Sequence, residues 1–187
     1  METIVSARDG ARVVLRRYRL DDEEGLFEAV RESIPELGAW MFWCHAGYSR
    51  GESRAWLEKR EGEWELGSSY DFAMVDAESG RLLGGCGLNG VSRVHRMANL
   101  GYWVRTGATG RGIATGAARE LARFGFEELG LSRIEVVVAT GNTNSQRVAE
   151  KVGAVREGVL RNRLAVGNRL QDAVMFSLVP GDRKGAG

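Results

Sequence analysis

The sequence predicts a mixed α/β (α+β) domain built on one central sheet. Segments of strand and helix pattern follow one another in the order β-α-α-β-β-β-α-β-α-β-β. Residues 134–140 form an apolar, β-branched run of the kind buried on both faces of a sheet. Residues 101–129 join an aromatic strand to a long helix through a turn that holds Gly107, Gly110 and Gly112.

Residues 12–18 read as the first strand. Asp21 or Asp22 can cap a helix running to about Ser33, where Pro35 is expected to stop it. The aromatic connection 35–45 follows. Ser49 or Ser53 then caps a second helix that reaches about Trp64. Residues 70–76 alternate as a strand, 78–80 turn, and 82–91 form a strand weakened by glycine. A turn at 93–96 leads into a strand over 97–105. Beyond it, Ala114, Ala117, Ala118, Leu121 and Gly125 recur at helical spacing, a face small enough to lie flat on a sheet. Gly130 sits where a left-handed helix cap belongs. Asn142 or Asn144 opens a short helix that ends before Gly153, and 155–164 and 170–179 close the chain as a strand pair around Gly167-Asn168. The count is about seven strands and four helices. One domain over 1–180 with a mobile tail at 181–187 is expected.

Composition excludes several classes of function. Lysine and arginine number 26 against 25 acidic residues, a net charge of +1, which argues against a polyanion-binding surface and hence against nucleic acid. Cys44 and Cys86 lie in unrelated contexts without metal-ligand spacing, and there are only 2 histidines, so reduced thiols and no metal site are expected. No apolar run approaches the roughly 20 residues of a membrane span, and Met1-Glu2-Thr3 does not begin a signal peptide. A soluble cytoplasmic protein without a membrane partner is the expectation.

The glycine turn is the candidate site. A helix begins there with backbone N–H groups that lack intrahelical partners, reinforced by the helix dipole, and such an end binds phosphate. A P-loop is excluded because Ile113 and Ala114 follow Gly112 where lysine and serine or threonine are required. A dinucleotide-binding GxGxxG fits poorly, since its third glycine would fall one residue before Gly116.

The run Thr109-Gly110-Arg111-Gly112-Ile113-Ala114 resembles the acyl-CoA pyrophosphate loop of the GNAT family of N-acetyltransferases (Q/R-x-x-G-x-G/A), with Thr109 in place of the usual glutamine or arginine. Gly101-Tyr102-Trp103-Val104 before the loop narrows the resemblance to the RimJ/RimL-like group, which acetylates protein N-termini. So do residues 142–148 with Lys151-Val152-Gly153, the triplet Arg156-Glu157-Gly158, and the tryptophan-rich stretch Trp40 to Trp43.

The resemblance implies the GNAT acyltransferase fold, with a splayed pair of parallel strands, and acetyl-CoA as cosubstrate without a metal. It assigns the pyrophosphate to the main chain of Gly110, Arg111, Gly112, Ile113, Ala114 and Thr115, with the Arg111 side chain as a further contact. It gives the pantetheine amides to Trp103, Val104 and Arg105, with the Val104 N–H as oxyanion donor. Asn142 becomes a cofactor contact and Ser145 the proton donor to the thiolate; Ala149 stands where many relatives have a tyrosine. Trp40 and Trp43 would wall the acceptor cleft. The implied reaction is direct attack by an amine, most simply an N-terminal α-amine. A small-molecule amine acceptor and a non-catalytic acyl-CoA sensor are the alternatives. Leu164 stands where RimL has a glutamate, and no general base is evident. The sequence leaves a homodimer open.

Overall fold

The computed structural model describes residues 2–182. Eight strands form one mixed sheet in the order β1-β2-β3-β4-β5-β6-β8-β7. They are β1 Thr3–Ser6, β2 Arg12–Arg17, β3 Ser69–Asp76, β4 Leu82–Ser92, β5 Met97–Val104, β6 Arg133–Ala139, β7 Val155–Val166 and β8 Arg169–Leu178. The strand missing from the sequence reading is β1, which pairs antiparallel with β2 in the register Thr3↔Leu15 to Ser6↔Arg12. It spans only 4 residues, and Asp9-Gly10 in the turn, with Gly10 at φ 85°, was the available signal.

The helices are α1 Glu23–Leu37, α2 Arg50–Leu57, α3 Arg60–Leu66, α4 Ile113–Glu127 and α5 Thr143–Val152. The second expected helix is therefore broken at Glu58-Lys59 into α2 and α3. Ser49 caps α2 reciprocally with Glu52. Pro35 does not end α1, which runs on to Leu37. It falls in the last turn, where Leu26, Ala29 and Val30 have already fixed the helix by burial, and a lost amide there costs less than mid-helix.

α4 packs on one face of the sheet, over Leu88, Leu100, Ile134 and Phe176. On the other face, α1 and α2 cover Ala73, Val75 and Leu82. The sheet is continuous except at one place. β5 pairs with β4 along most of its length, yet it pairs with the parallel β6 only through Met97, Ala98 and Asn99. Beyond Asn99 the two strands part, as the resemblance implied, while β6 stays zipped to β8 from Ile134 to Ala139. The tail expected at 181–187 lies outside the described residues from 183 onward.

Candidate active site

Strand alternation decides which groups face the gap. The Arg105 amide donates to the Leu83 carbonyl at 2.8 Å, so odd positions of β5 point their main chain at β4. The amides of Leu100, Tyr102 and Val104 therefore turn toward the missing β6 partner. This separates the three residues expected to bind pantetheine. Val104 faces the gap. Trp103 is opposite Gly85 in the β4 ladder, and its indole projects onto the α1–α2 face, 5.8 Å from Trp43 in an edge-to-face pair.

Arg105 is committed elsewhere. Its Nε donates to Glu32 at 2.6 Å and its carbonyl accepts from Ala108 at 2.8 Å. Glu32 also accepts from the Gly107 amide at 3.0 Å and pairs with Arg81. Partial burial opposes ionisation of Glu32, but these partners prevail and hold its carboxyl below the usual range.

At the end of β5, Gly110 and Gly112 both sit in the left-handed region, with φ 77° and 82°, where a side chain would be strained. The first hydrogen bond of α4 runs from the Gly116 amide to the Gly112 carbonyl at 3.0 Å. Among the described residues, the amides of 110–115 have no hydrogen-bond partner. Six successive unpartnered donors at a helix start suit a diphosphate.

The Arg111 side chain turns away to Asp9, with Nε 2.6 Å from Oδ2. This ion pair holds the Asp9 carboxyl below its ordinary value. The neighbour sequence reasoning missed is Arg8. Its amide donates to the Arg111 carbonyl at 2.8 Å, and its stem lies so close to Gly112 that a Cβ there would come within 3.1 Å of Arg8 Cγ. The exposed Arg8 guanidinium thus stands over the loop from the β1–β2 turn.

On the α1–α2 face the gap opens into a cavity of about 990 Å³, lined among others by Tyr102, Trp103, Val138, Asn142 and Ser145. Asn142 Oδ1 caps α5 by accepting from the Ser145 amide at 3.1 Å, which leaves its Nδ2 for a second partner. Ser145 Oγ donates to the Tyr102 hydroxyl at 3.1 Å. Burial pushes the Tyr102 hydroxyl up to about 12, with the Ser145 contact pulling the other way. As an ordinary aromatic on a strand, Tyr102 gave no sign of reaching α5, three elements later.

Trp40 and Trp43 both line the cavity. The Trp40 ring lies on the loop after β6, where a Cβ on Gly141 would approach it to 3.2 Å. Phe42 points outward at 75% exposure. Leu164 is also on the wall, so the position expected to lack a base presents an apolar surface.

The structure also gathers acidic groups that looked scattered in the sequence: Glu52, Glu63 and Asp71 line the cavity. Each is engaged. Arg60 binds Asp71 at 2.6 Å and Glu63 at 2.9 Å, and His45 binds Glu52 at 2.9 Å. Cys86 is buried, and its thiol is pushed well up by desolvation, so it is no nucleophile. His95 lies exposed in the β4–β5 turn. Among the described residues no cluster of three or more His, Cys, Asp or Glu could hold a metal, and no helix is long and apolar enough to cross a membrane.

Known proteins share this arrangement. Residues 12–155 match the family described as "Acetyltransferase (GNAT) domain". YdaF of Bacillus subtilis strain 168, provisionally named a ribosomal N-acetyltransferase, is 31% identical over 183 residues, covering 92% of this chain and 94% of its own. A Vibrio cholerae structure, provisionally described as a ribosomal-protein-serine acetyltransferase, superposes with a TM-score of 0.82 at 27% identity, covering 96% of this chain and 98% of that one. Mycobacterium smegmatis RimJ, solved in complex with CoA-disulfide, shares the fold with a TM-score of 0.84 at 24% identity, over 96% of this chain and 87% of that one. The splayed strands, the loop of free amides and these likenesses agree: the chain belongs to the GNAT family of acetyltransferases and is an enzyme whose acetyl donor is acetyl-CoA.

Proposed function

We propose that this enzyme acetylates the α-amine at a protein N-terminus, as the names of its relatives suggest for them. The observation that carries the reading is the acceptor cavity: wide, aromatic at its mouth and without a free base on its wall. A neutral amine is required for attack. At pH 7 an α-amine with a pKa of about 7.7–8.0 loses its proton for about 1 kcal/mol, whereas a lysine near 10.4 costs about 5 kcal/mol. A site without a base therefore suits an N-terminus.

The chain's own groups have separable tasks. The amides of Gly110, Arg111, Gly112, Ile113, Ala114 and Thr115 hold the diphosphate, with Arg8 supplying the side-chain charge that sequence reasoning gave to Arg111. Bound acetyl-CoA supplies a thioester whose carbonyl carbon the amine attacks. The Val104 N–H, facing the gap, donates to the carbonyl oxygen as charge develops there. Asn142 Nδ2 steadies the pantetheine arm, while Trp103 acts through its ring as part of the acceptor wall beside Trp40 and Trp43.

Ser145 Oγ–H donates toward the departing sulfur. Tyr102 holds that hydroxyl in place. The Ser145 hydroxyl hands its proton to the sulfur as it takes one from the ammonium that attack creates, so that no alkoxide is left behind; Tyr102, whose hydroxyl donates to the Ser145 carbonyl at 2.9 Å, is a positioning residue.

A small cationic amine is the rival acceptor, favoured by the three carboxylates on the cavity wall. Their engagement by Arg60 and His45 weighs against it. The experiment is acetyl transfer from acetyl-CoA to a panel of N-terminal peptides and to spermidine, followed by release of free thiol. Turnover of peptides is expected. Turnover of spermidine alone would overturn the reading, and CoA binding without turnover on any amine would favour a sensor.

A further inference from the structure

The β7–β8 hairpin forms one rim of the acceptor cavity, since Leu164, Ala165 and Val166 line it. On the other side of the mouth is the aromatic connection, which Gln171 Nε2 reaches at the Ala39 carbonyl, 3.5 Å away. Between residues 158 and 171 the chain carries Arg161, Arg163 and Arg169 and no acidic residue. All three arginines are exposed. Arg163 immediately precedes the wall residue Leu164, and Arg169 is the ladder partner of the wall residue Val166.

Many arginines elsewhere in the fold are neutralised in ion pairs. Arg16, Arg50, Arg54, Arg60, Arg81, Arg105, Arg111 and Arg133 each have a carboxylate partner. Among the described residues no carboxylate lies within 4.0 Å of the side-chain nitrogens of Arg161, Arg163 or Arg169. The nearby acidic groups are already occupied. Glu157 is held by Arg133 and by Ser177 Oγ at 2.6 Å, and Asp172 accepts from the Asn162 amide at 2.8 Å. Asn162, at φ 52°, lies where the β7–β8 register shifts, so the stretch that bears Arg161 and Arg163 departs from the regular ladder. Leu170, 64% exposed, adds an apolar contact among the charges.

We propose that this hairpin rim docks an acidic segment of the acceptor polypeptide, immediately behind the N-terminal residue that enters the cavity. Inside the cavity the carboxylates Glu52, Glu63 and Asp71 are paired with His45 and Arg60, whereas the rim carries cations without such partners. A chain that continues with Asp or Glu behind its first residue complements that rim. Complementary rim charges act mainly on encounter and register, so the selectivity belongs in KM and weakens with salt.

The proposal rests on the N-terminal reading above, and the test separates the two. Peptides with one common first residue and acidic, neutral or lysine-rich positions two to six are acetylated by the full-length enzyme, with thiol release measured at low and near-physiological salt. The acidic peptide is expected to exceed the neutral one by about tenfold in kcat/KM at low salt, mainly through KM, three exposed ion pairs each contributing a modest share. In the combined variant Arg161→Ala, Arg163→Ala, Arg169→Ala the acidic-to-neutral ratio should fall to within about twofold, with CoA affinity by calorimetry showing that the fold is intact. Equal rates for acidic and neutral peptides, a preference for the lysine-rich peptide, or a preference that survives the triple variant overturns the docking proposal alone. No turnover of any peptide overturns the N-terminal reading and this proposal with it.

Discussion

Ser145 Oγ donates to the Tyr102 hydroxyl at 3.1 Å, and that hydroxyl donates in turn to the Ser145 carbonyl at 2.9 Å. The pair ties β5, on one side of the gap, to the first turn of α5 on the other. In Ser145→Ala the proposed proton donor is lost, and kcat should fall by about a hundredfold, the lower range for general acid catalysis. In Tyr102→Phe the donor remains but is unheld, so kcat should drop by about tenfold with KM for acetyl-CoA little changed. Equal losses in both variants would make Tyr102 more than a support.

The pH dependence follows from the same groups. Because Tyr102 is raised to about 12 from 10.0, its neutral form is the one the fold favours. That contribution is complete below pH 10 and is lost only as pH climbs through 12. Among the groups given a part in the proposed reaction, the acceptor α-amine is the one that loses its proton within the working range. Plotted against pH, kcat/KM should therefore rise through an inflection at about pH 8 and level off above about pH 9, with no loss from Tyr102 ionisation below pH 10. Changing the peptide's first residue should move the inflection with the amine's own pKa.

Gly112→Asp places a carboxylate among the six free amides, and Asp tolerates the left-handed backbone better than most residues. CoA affinity by calorimetry should fall by at least about tenfold through charge repulsion at the helix start. Unchanged affinity with an intact circular dichroism spectrum would remove the diphosphate from this loop.

Arg8 and Arg111 make opposite predictions. Arg8→Ala should weaken CoA about fivefold at low salt, an effect that shrinks as salt is added. Arg111→Ala, which breaks a pair with Asp9 that already neutralises it, should change affinity by less than about twofold. The reverse order would return the phosphate contact to Arg111.

Glu32 fastens α1 to Arg105 and to the Gly107 amide. Glu32→Ala leaves a guanidinium that is only 7% exposed without its partner. Thermal or denaturant unfolding should show a loss of about 2 kcal/mol, moderated because the carboxylate itself reaches solvent. KM for acetyl-CoA should rise as the loop that Gly107 begins loosens.

Much of this was legible in the sequence, because local rules and tertiary needs coincide there. The 3.6-residue spacing of small side chains marked α4, and the β-branched run marked β6. The glycines at 110 and 112 marked the turn that the backbone angles require. What escaped was set by distance along the chain. β1 was too short to announce itself without its partner. Pro35 signalled an end that burial of α1 overrode. The main-chain direction of Trp103, Val104 and Arg105 depends on the register with β4, so only one of the three faces the gap. Arg8 reaches Gly112, and Tyr102 reaches Ser145, across separations that no local pattern records.

Only three residue pairs, Met97↔Arg133, Ala98↔Ile134 and Asn99↔Glu135, stitch strands one to five to the remaining three. The aromatic mouth rides on the larger portion and the arginine hairpin on the smaller. A slender molecule laid along the parting, bonded to amides on one bank and to Asn142 on the other, would act as the absent rung of the ladder. The donor would then brace the two banks against each other before any acceptor arrives, and the width of the doorway would be set by the guest already inside.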